Sequence, residues 1–156
     1  MRTRGLSVRA GLAGCFCAVF WSVSSSAQSV VGVVKTIKGT VAVYRDGKAL
    51  QVKPGTVLTT ADRIVTGKDS AIGIAMKDDT IVSTGSNTTV TLDQFSFNST
   101  SHEGSMALSV LRGSMVFITG LIGKFNPQAV AVKLPTATVG IRGTEFAVEV
   151  SPERRE

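Results

Sequence analysis

Histidine, tryptophan and tyrosine each occur once in this 156-residue chain, and cysteine occurs only at positions 15 and 17. A histidine-rich metal site is thereby excluded. A Ser-His-Asp hydrolase would have to use His102, which lies in the polar stretch Asn98-Ser99-Thr100-Ser101-His102-Glu103-Gly104-Ser105, and no Gly-x-Ser-x-Gly elbow accompanies it. The phosphate-cradling patterns Gly-x-Gly-x-x-Gly and Gly-Lys-Ser/Thr are also missing. Basic residues are dispersed, with no stripe of the aromatic-interleaved kind that single-stranded nucleic acid needs.

The longest apolar run, Ala10 to Val23, has 14 residues, short of the roughly 20 that cross a bilayer as a helix. Arg2, Arg4 and Arg9 precede it and Ser24-Ser25-Ser26-Ala27 follows it, the three parts of a secretory signal. Residues 1–27 are therefore expected to be a cleavable signal peptide, residues 28–156 the folded domain, and the periplasm its compartment. Leu12-Ala13-Gly14-Cys15 also resembles a lipobox, which would anchor the chain at Cys15 as a lipoprotein. A cut there would leave Phe16, Val19, Phe20 and Trp21 stranded in the mature protein, so cleavage after Ala27 is the preferred reading.

Removal of the signal takes away both cysteines and the tryptophan. The mature part holds no disulfide, thiolate ligand or cysteine nucleophile, and its stability must come from packing. It has 129 residues, enough for one domain with a core. With 14 basic and 11 acidic residues its net charge is +3.

What is abundant is valine and threonine, 18 and 16 of those 129 residues, against 7 leucines and 5 glutamates. β-Branched side chains favour strands. Thr40–Tyr44, Ile72–Met76, Val90–Leu92 and Val130–Leu134 alternate or run apolar over strand lengths, and no window has a sustained helical stripe; Ser105–Val110 comes nearest. Asp46-Gly47, Pro54-Gly55, Lys77-Asp78-Asp79-Thr80 and Gly85-Ser86-Asn87 supply the turns. These features predict a single all-β, antiparallel-rich domain: a sandwich, a barrel-like sheet or a short β-solenoid. Glycine beside a hydroxyl residue recurs at Gly39-Thr40, Thr66-Gly67, Thr84-Gly85, Gly113-Ser114, Thr119-Gly120 and Gly143-Thr144, and the Thr-Gly spacings of 18 and 35 favour the solenoid only weakly.

Two clusters carry alternative chemistry. Asp78-Asp79 is the densest acidic pair, but no calcium-loop pattern follows it, and a solvated hairpin tip is expected. Gly140-Ile141-Arg142-Gly143 would suit an anion, yet it precedes a strand; a glycine-permitted bulge with Arg142 paired to a carboxylate is the plainer reading.

Gly39-Thr40-Val41-Ala42-Val43 with Arg45, Asp46 and Gly47 forms an opening hairpin. Leu58 with Asp62, Ile64, Thr66, Gly67 and Ser70 forms a central Leu…Asp-x-Ile-x-Thr-Gly-x-x-Ser pattern, and Pro135-Thr136-Ala137-Thr138-Val139-Gly140-Ile141-Arg142-Gly143-Thr144-Glu145-Phe146 a closing one. On these motifs the chain resembles the FecR domain family, the periplasmic sensing domain of the ferric-citrate regulator type. The resemblance implies a non-enzymatic interaction or sensing module without a cofactor, whose partner is an envelope or outer-membrane protein bound through strand edges and loops. The motif residues are then structural or partner-binding: Asp62 caps a turn, the glycines supply positive φ, and Ile64 and Phe146 enter the core. A glycan- or peptidoglycan-binding domain, and a hydrolase using His102, are the alternatives.

Two positions depart from the family pattern, Ala61 and Asp79, where glycine is usual. The regulator's cytoplasmic arm and membrane span are replaced here by the export signal, and no stable membrane span is expected. The chain stops at Glu156, where the pattern often continues into another hairpin. Thr144–Val150 is thus expected to form an exposed edge, open to a partner or to a second copy by edge-strand pairing, unless Pro152 and the charged tail blunt it.

Overall fold

The structure, a computed structural model, describes residues 28–141 and 143–151. The proposed signal and Arg142 lie outside the described residues. Twelve strands make one sheet: β1 (Val30–Lys38), β2 (Val41–Arg45), β3 (Lys48–Leu50), β4 (Val57–Thr59), β5 (Arg63–Thr66), β6 (Ala71–Met76), β7 (Ile81–Thr84), β8 (Thr89–Phe97), β9 (Gly104–Ile118), β10 (Val130–Lys133), β11 (Thr138–Gly140) and β12 (Glu145–Val150). Their order is β3-β2-β5-β8-β9-β7-β6-β1-β4, with β10 and β12 also on β9 and β11 on β10. All pairs are antiparallel except β10 with β9.

The sheet curls because its long strands turn a corner halfway. β1 continues into β2, β5 into β6 and β7 into β8, while β9 bends within itself at Gly113. One half of the sheet is β4-β1-β6-β7-β9-β12, the other β3-β2-β5-β8-β9-β10-β11, and β9 belongs to both. The fold is thus an all-β half-barrel formed from a single curled sheet.

Four of the six glycine-hydroxyl pairs, Gly39-Thr40, Thr66-Gly67, Thr84-Gly85 and Gly113-Ser114, are these corners rather than the rungs of a solenoid; Thr119-Gly120 lies between β9 and α1, and Gly143-Thr144 precedes β12. Gly39 and Gly113 have φ of 72° and 87°, and a side chain at Gly113 would place its Cβ 2.5 Å from Thr88 Cα. Neighbouring corners are stitched by hydroxyls. The Thr40 amide donates to Ser70 Oγ at 2.8 Å, the Thr88 amide to Thr66 Oγ1 at 2.9 Å, and the Ser114 amide to Thr88 Oγ1 at 3.0 Å. A bend removes amides and carbonyls from the ladder, and short polar side chains restore their partners without a large volume.

Alternate residues of each strand enter the concave side, where Val31, Val34, Ile64, Ile72, Ile74, Val82, Leu92, Leu108, Met115 and Phe117 form the core. Ser105–Val110, the nearest approach to a helical stripe, is part of β9. The one α-helix among the described residues, α1 (Leu121–Phe125), is a single turn, too short to show a period in sequence. No helix of the described residues is long and apolar enough to cross a membrane.

The acidic tip needs correction. Asp79 is exposed, with φ 64°, but Asp78 is fully buried. Its carboxylate accepts from Thr80 Oγ1 at 2.7 Å, and its carbonyl accepts from the Leu121 amide at 2.7 Å. The turn is therefore pinned to the start of α1, and the side chain that faces water is the one in the left-handed position.

Candidate functional site

The sequence-derived motif residues separate into two groups, held apart in the sheet by β8 and β9. The first group lies on β5 and its corner. Asp62 follows a turn in which its amide donates to the Thr59 carbonyl at 3.3 Å and its carboxylate accepts the Thr59 amide at 2.8 Å, the capping role expected of it. It also receives the Arg45 guanidinium in a fork, Nε at 2.8 Å and a terminal nitrogen at 2.7 Å, while the same arginine donates to the Val57 carbonyl at 3.0 Å. β2, β4 and the β4–β5 turn are thereby held together. The Arg45 pKa is raised above its ordinary value, first by the hydrogen bond to Asp62, and the group stays charged.

Ile64 is in the core, 1% exposed. Thr66 Oγ1 donates to the Gly85 carbonyl at 2.6 Å and accepts the Thr88 amide; Ser70 Oγ donates to the Lys68 carbonyl at 2.9 Å and accepts the Thr40 amide. Gly67 does not have positive φ, contrary to expectation. Its amide donates to the Thr40 carbonyl at 2.9 Å, and a Cβ there would stand 3.4 Å from that oxygen, an ordinary contact, so neither φ nor space demands glycine here. Every polar group in this set is consumed internally.

The second group surrounds β12. Pro135 and Thr136 are exposed in the β10–β11 turn, and Gly140 ends β11 with ordinary backbone and open space around it. Gly143 has φ 150°, its carbonyl accepting Thr119 Oγ1 at 2.9 Å; the Thr144 carbonyl accepts the Thr119 amide at 2.7 Å. Phe146 is half-buried rather than a core residue, because its strand is at the margin, and it stacks on Phe117 at 5.0 Å. Arg142, named above as a motif residue and a possible anion contact, falls outside the described residues.

β12 pairs with β9 on one side, and among the described residues no strand pairs with its other side. The Thr119-to-Thr144 bond sets the phase of the ladder: Thr144, Phe146, Val148 and Val150 exchange bonds with β9, and Glu145, Ala147 and Glu149 turn their amides and carbonyls outward. Two clefts flank this strand. One, of about 350 Å³, is lined by Val139, Gly140, Ile141, Gly143, Glu145, Phe146, Ala147 and Val148; the other, of about 500 Å³, by Leu111, Arg112, Leu134, Pro135, Thr136, Glu149, Val150 and Ser151. Among the described residues the edge expected at 144–150 has no strand on its outer side, and the closing motif lines its clefts; Pro152 and the charged tail lie outside the described residues.

The family model described as FecR protein matches residues 62–156. The chain belongs to the FecR family. FecR proteins form a signalling and regulatory family that is generally non-enzymatic. The matched span begins at Asp62 and contains both motif groups, whereas the opening hairpin at 39–47 lies ahead of it. No curated protein matches the chain, and no solved structure matches it.

The residues of the alternatives are engaged elsewhere. His102, with φ 58°, stacks on Phe125 at 5.2 Å and on Phe97 at 6.5 Å, an aromatic setting rather than a nucleophile-base pair. Tyr44, the one tyrosine, has the Arg63 guanidinium over one face, 5.8 Å from its ring centre. The closing motif, with Gly143-Thr144 opening a strand, signalled β12; nothing in sequence signalled that Arg45 would be the partner of Asp62, 17 residues away.

Proposed function

We infer that the chain is a non-enzymatic periplasmic sensing module that takes an extended segment of an envelope protein onto β12 as an added strand. Membership of the FecR family supports the regulatory role. The observation that carries the docking mode is the outward phase of Glu145, Ala147 and Glu149, three residues whose backbone donors and acceptors offer a template beside two clefts. Main-chain bonds would give affinity, and the clefts would select alternate side chains of the incoming strand. The N-terminal signal motif supports export with cleavage after Ala27.

Ala147→Pro tests this reading, because it deletes an outward amide and leaves the bonds to β9 in place. With a photo-crosslinking residue at Glu149, the parent should give a specific adduct with an envelope protein in cells, and the Ala147→Pro form should lose it. Adducts that survive the proline, or their absence under several growth conditions, would refute strand addition. N-terminal sequencing of the exported chain should begin at Gln28.

A further inference from the structure

The two halves of the sheet turn very different convex faces outward. Across the β2-β5-β8-β9-β10 half, one cross-strand row reads Tyr44, Arg63, Thr91, Ser109, Lys133, with Asp93 bonded to Ser109 and 3.7 Å from the Lys133 ammonium. The corresponding row on the other half reads Val57, Val33, Ala75, Ile81, Ile118 and ends at Glu145. The next row reads Thr36, Gly73, Ser83, Val116, Ala147. Val57 and Ile81 are each 44% exposed and Val116 38%. A half-barrel with one core should alternate to polar residues on its outside, yet the first of these rows is apolar from Val57 to Ile118.

We propose that this face is the contact between two copies of the chain, related by a two-fold axis running along β7. Such an axis keeps each row in register and sets each strand against the one equally far from β7 on the other side. β6 then faces β9, and their side chains are complementary in size. Gly73 lies opposite Val116 and Ala75 opposite Ile118, a small residue under a large one in both rows. β1 likewise faces β12, which sets Lys38 opposite Glu149. Both residues end the same row, through Ala71 on one side and Ser114 on the other. Size thus matches at both β6–β9 pairs and charge at Lys38–Glu149, while Glu145 meets Val33 at the rim of the contact.

The five strands that meet about this axis, β1, β6, β7, β9 and β12, lie about 4.8 Å apart over about 20 Å of length, with β4 outside the contact, so two copies would bury about 1,000 Å² in total, the lower limit of a specific interface. The expected dimer is a weak one. It leaves the outward amides of β12 free, and so is separate from strand addition.

Sedimentation velocity of the protein from about 1 to about 100 μM, the range in which an interface of this size associates, tests the proposal. The parent should pass from monomer to dimer. Val116→Lys should stay monomeric throughout, with its circular dichroism unchanged because the position is exposed. Lys38→Glu and Glu149→Lys should each weaken the dimer about fivefold, and the double exchange should restore it. A parent that stays monomeric at every concentration overturns the proposal, as does a Val116→Lys dimer. A dimer abolished by Ala147→Pro but not by Val116→Lys would be an edge-paired one and would equally overturn it, and failure of the double exchange would reject the axis along β7.

Discussion

The two groups of family-motif residues differ in what they do with their hydrogen-bonding capacity. Asp62, Thr66 and Ser70 are buried, and their carboxylate oxygens and hydroxyls all have internal partners; around Pro135–Phe146 the backbone of β12 is satisfied on one side and open on the other. A saturated cluster holds a fold together. An unsaturated one is where something else can bind. One motif therefore serves two physical roles, and a substitution should affect stability in the first group and binding in the second.

The largest effect is expected at Asp62. Asp62→Ala leaves the Thr59 amide and the Arg45 guanidinium without their acceptor; since the Arg45 side chain is 28% exposed and partly rehydrates, the loss is set at about 3 kcal/mol, read by urea unfolding. Thr66→Val comes next, at about 2 kcal/mol, because it orphans the Gly85 carbonyl and the Thr88 amide at once.

The same substitution at Thr84 sharpens the contrast. Thr84 Oγ1 is buried with no hydrogen-bond partner among the described residues, so Thr84→Val should stabilise by about 1 kcal/mol. Ala61→Gly should also stabilise, by about 0.5 kcal/mol, since Ala61 sits at φ 68° where an L side chain is strained and glycine is not. Smallest on stability is Ala147→Pro, within about 0.5 kcal/mol, although it should abolish strand capture. If Ala147→Pro unfolded the protein, or Asp62→Ala left stability untouched, the division between the two groups would fail.

Much of the fold was legible in sequence because its signals are local. Alternation marked β2, β6, β8 and β10, and Asp46-Gly47 marked a hairpin with φ of 51° and 76°. Ala61 and Asp79, noted as departures where glycine is usual, do occupy left-handed backbone. The curl was not legible, since a corner is defined by which strands lie beside it. Thr66 needs Gly85 and Thr88, some 20 residues on, and a Thr-Gly pair reads the same at a corner as at a rung. Asp78 misled for a similar reason: its burial depends on α1, one turn of helix 43 residues later. Of the candidate site, the β12 edge was read from the closing motif, while its clefts and the outward phase of Ala147 required the register with β9.

Amide hydrogen exchange along β12 in the isolated protein tests the central distinction most directly. Alternation is predicted: protected amides at Phe146, Val148 and Val150, which bond to β9, and rapidly exchanging amides at Glu145, Ala147 and Glu149, alongside strong protection of Thr59 and Thr88 in the saturated group. Uniform protection of all six β12 amides would mean the edge is already covered, uniform rapid exchange would mean β12 is not docked, and either result would contradict an open edge on a closed fold.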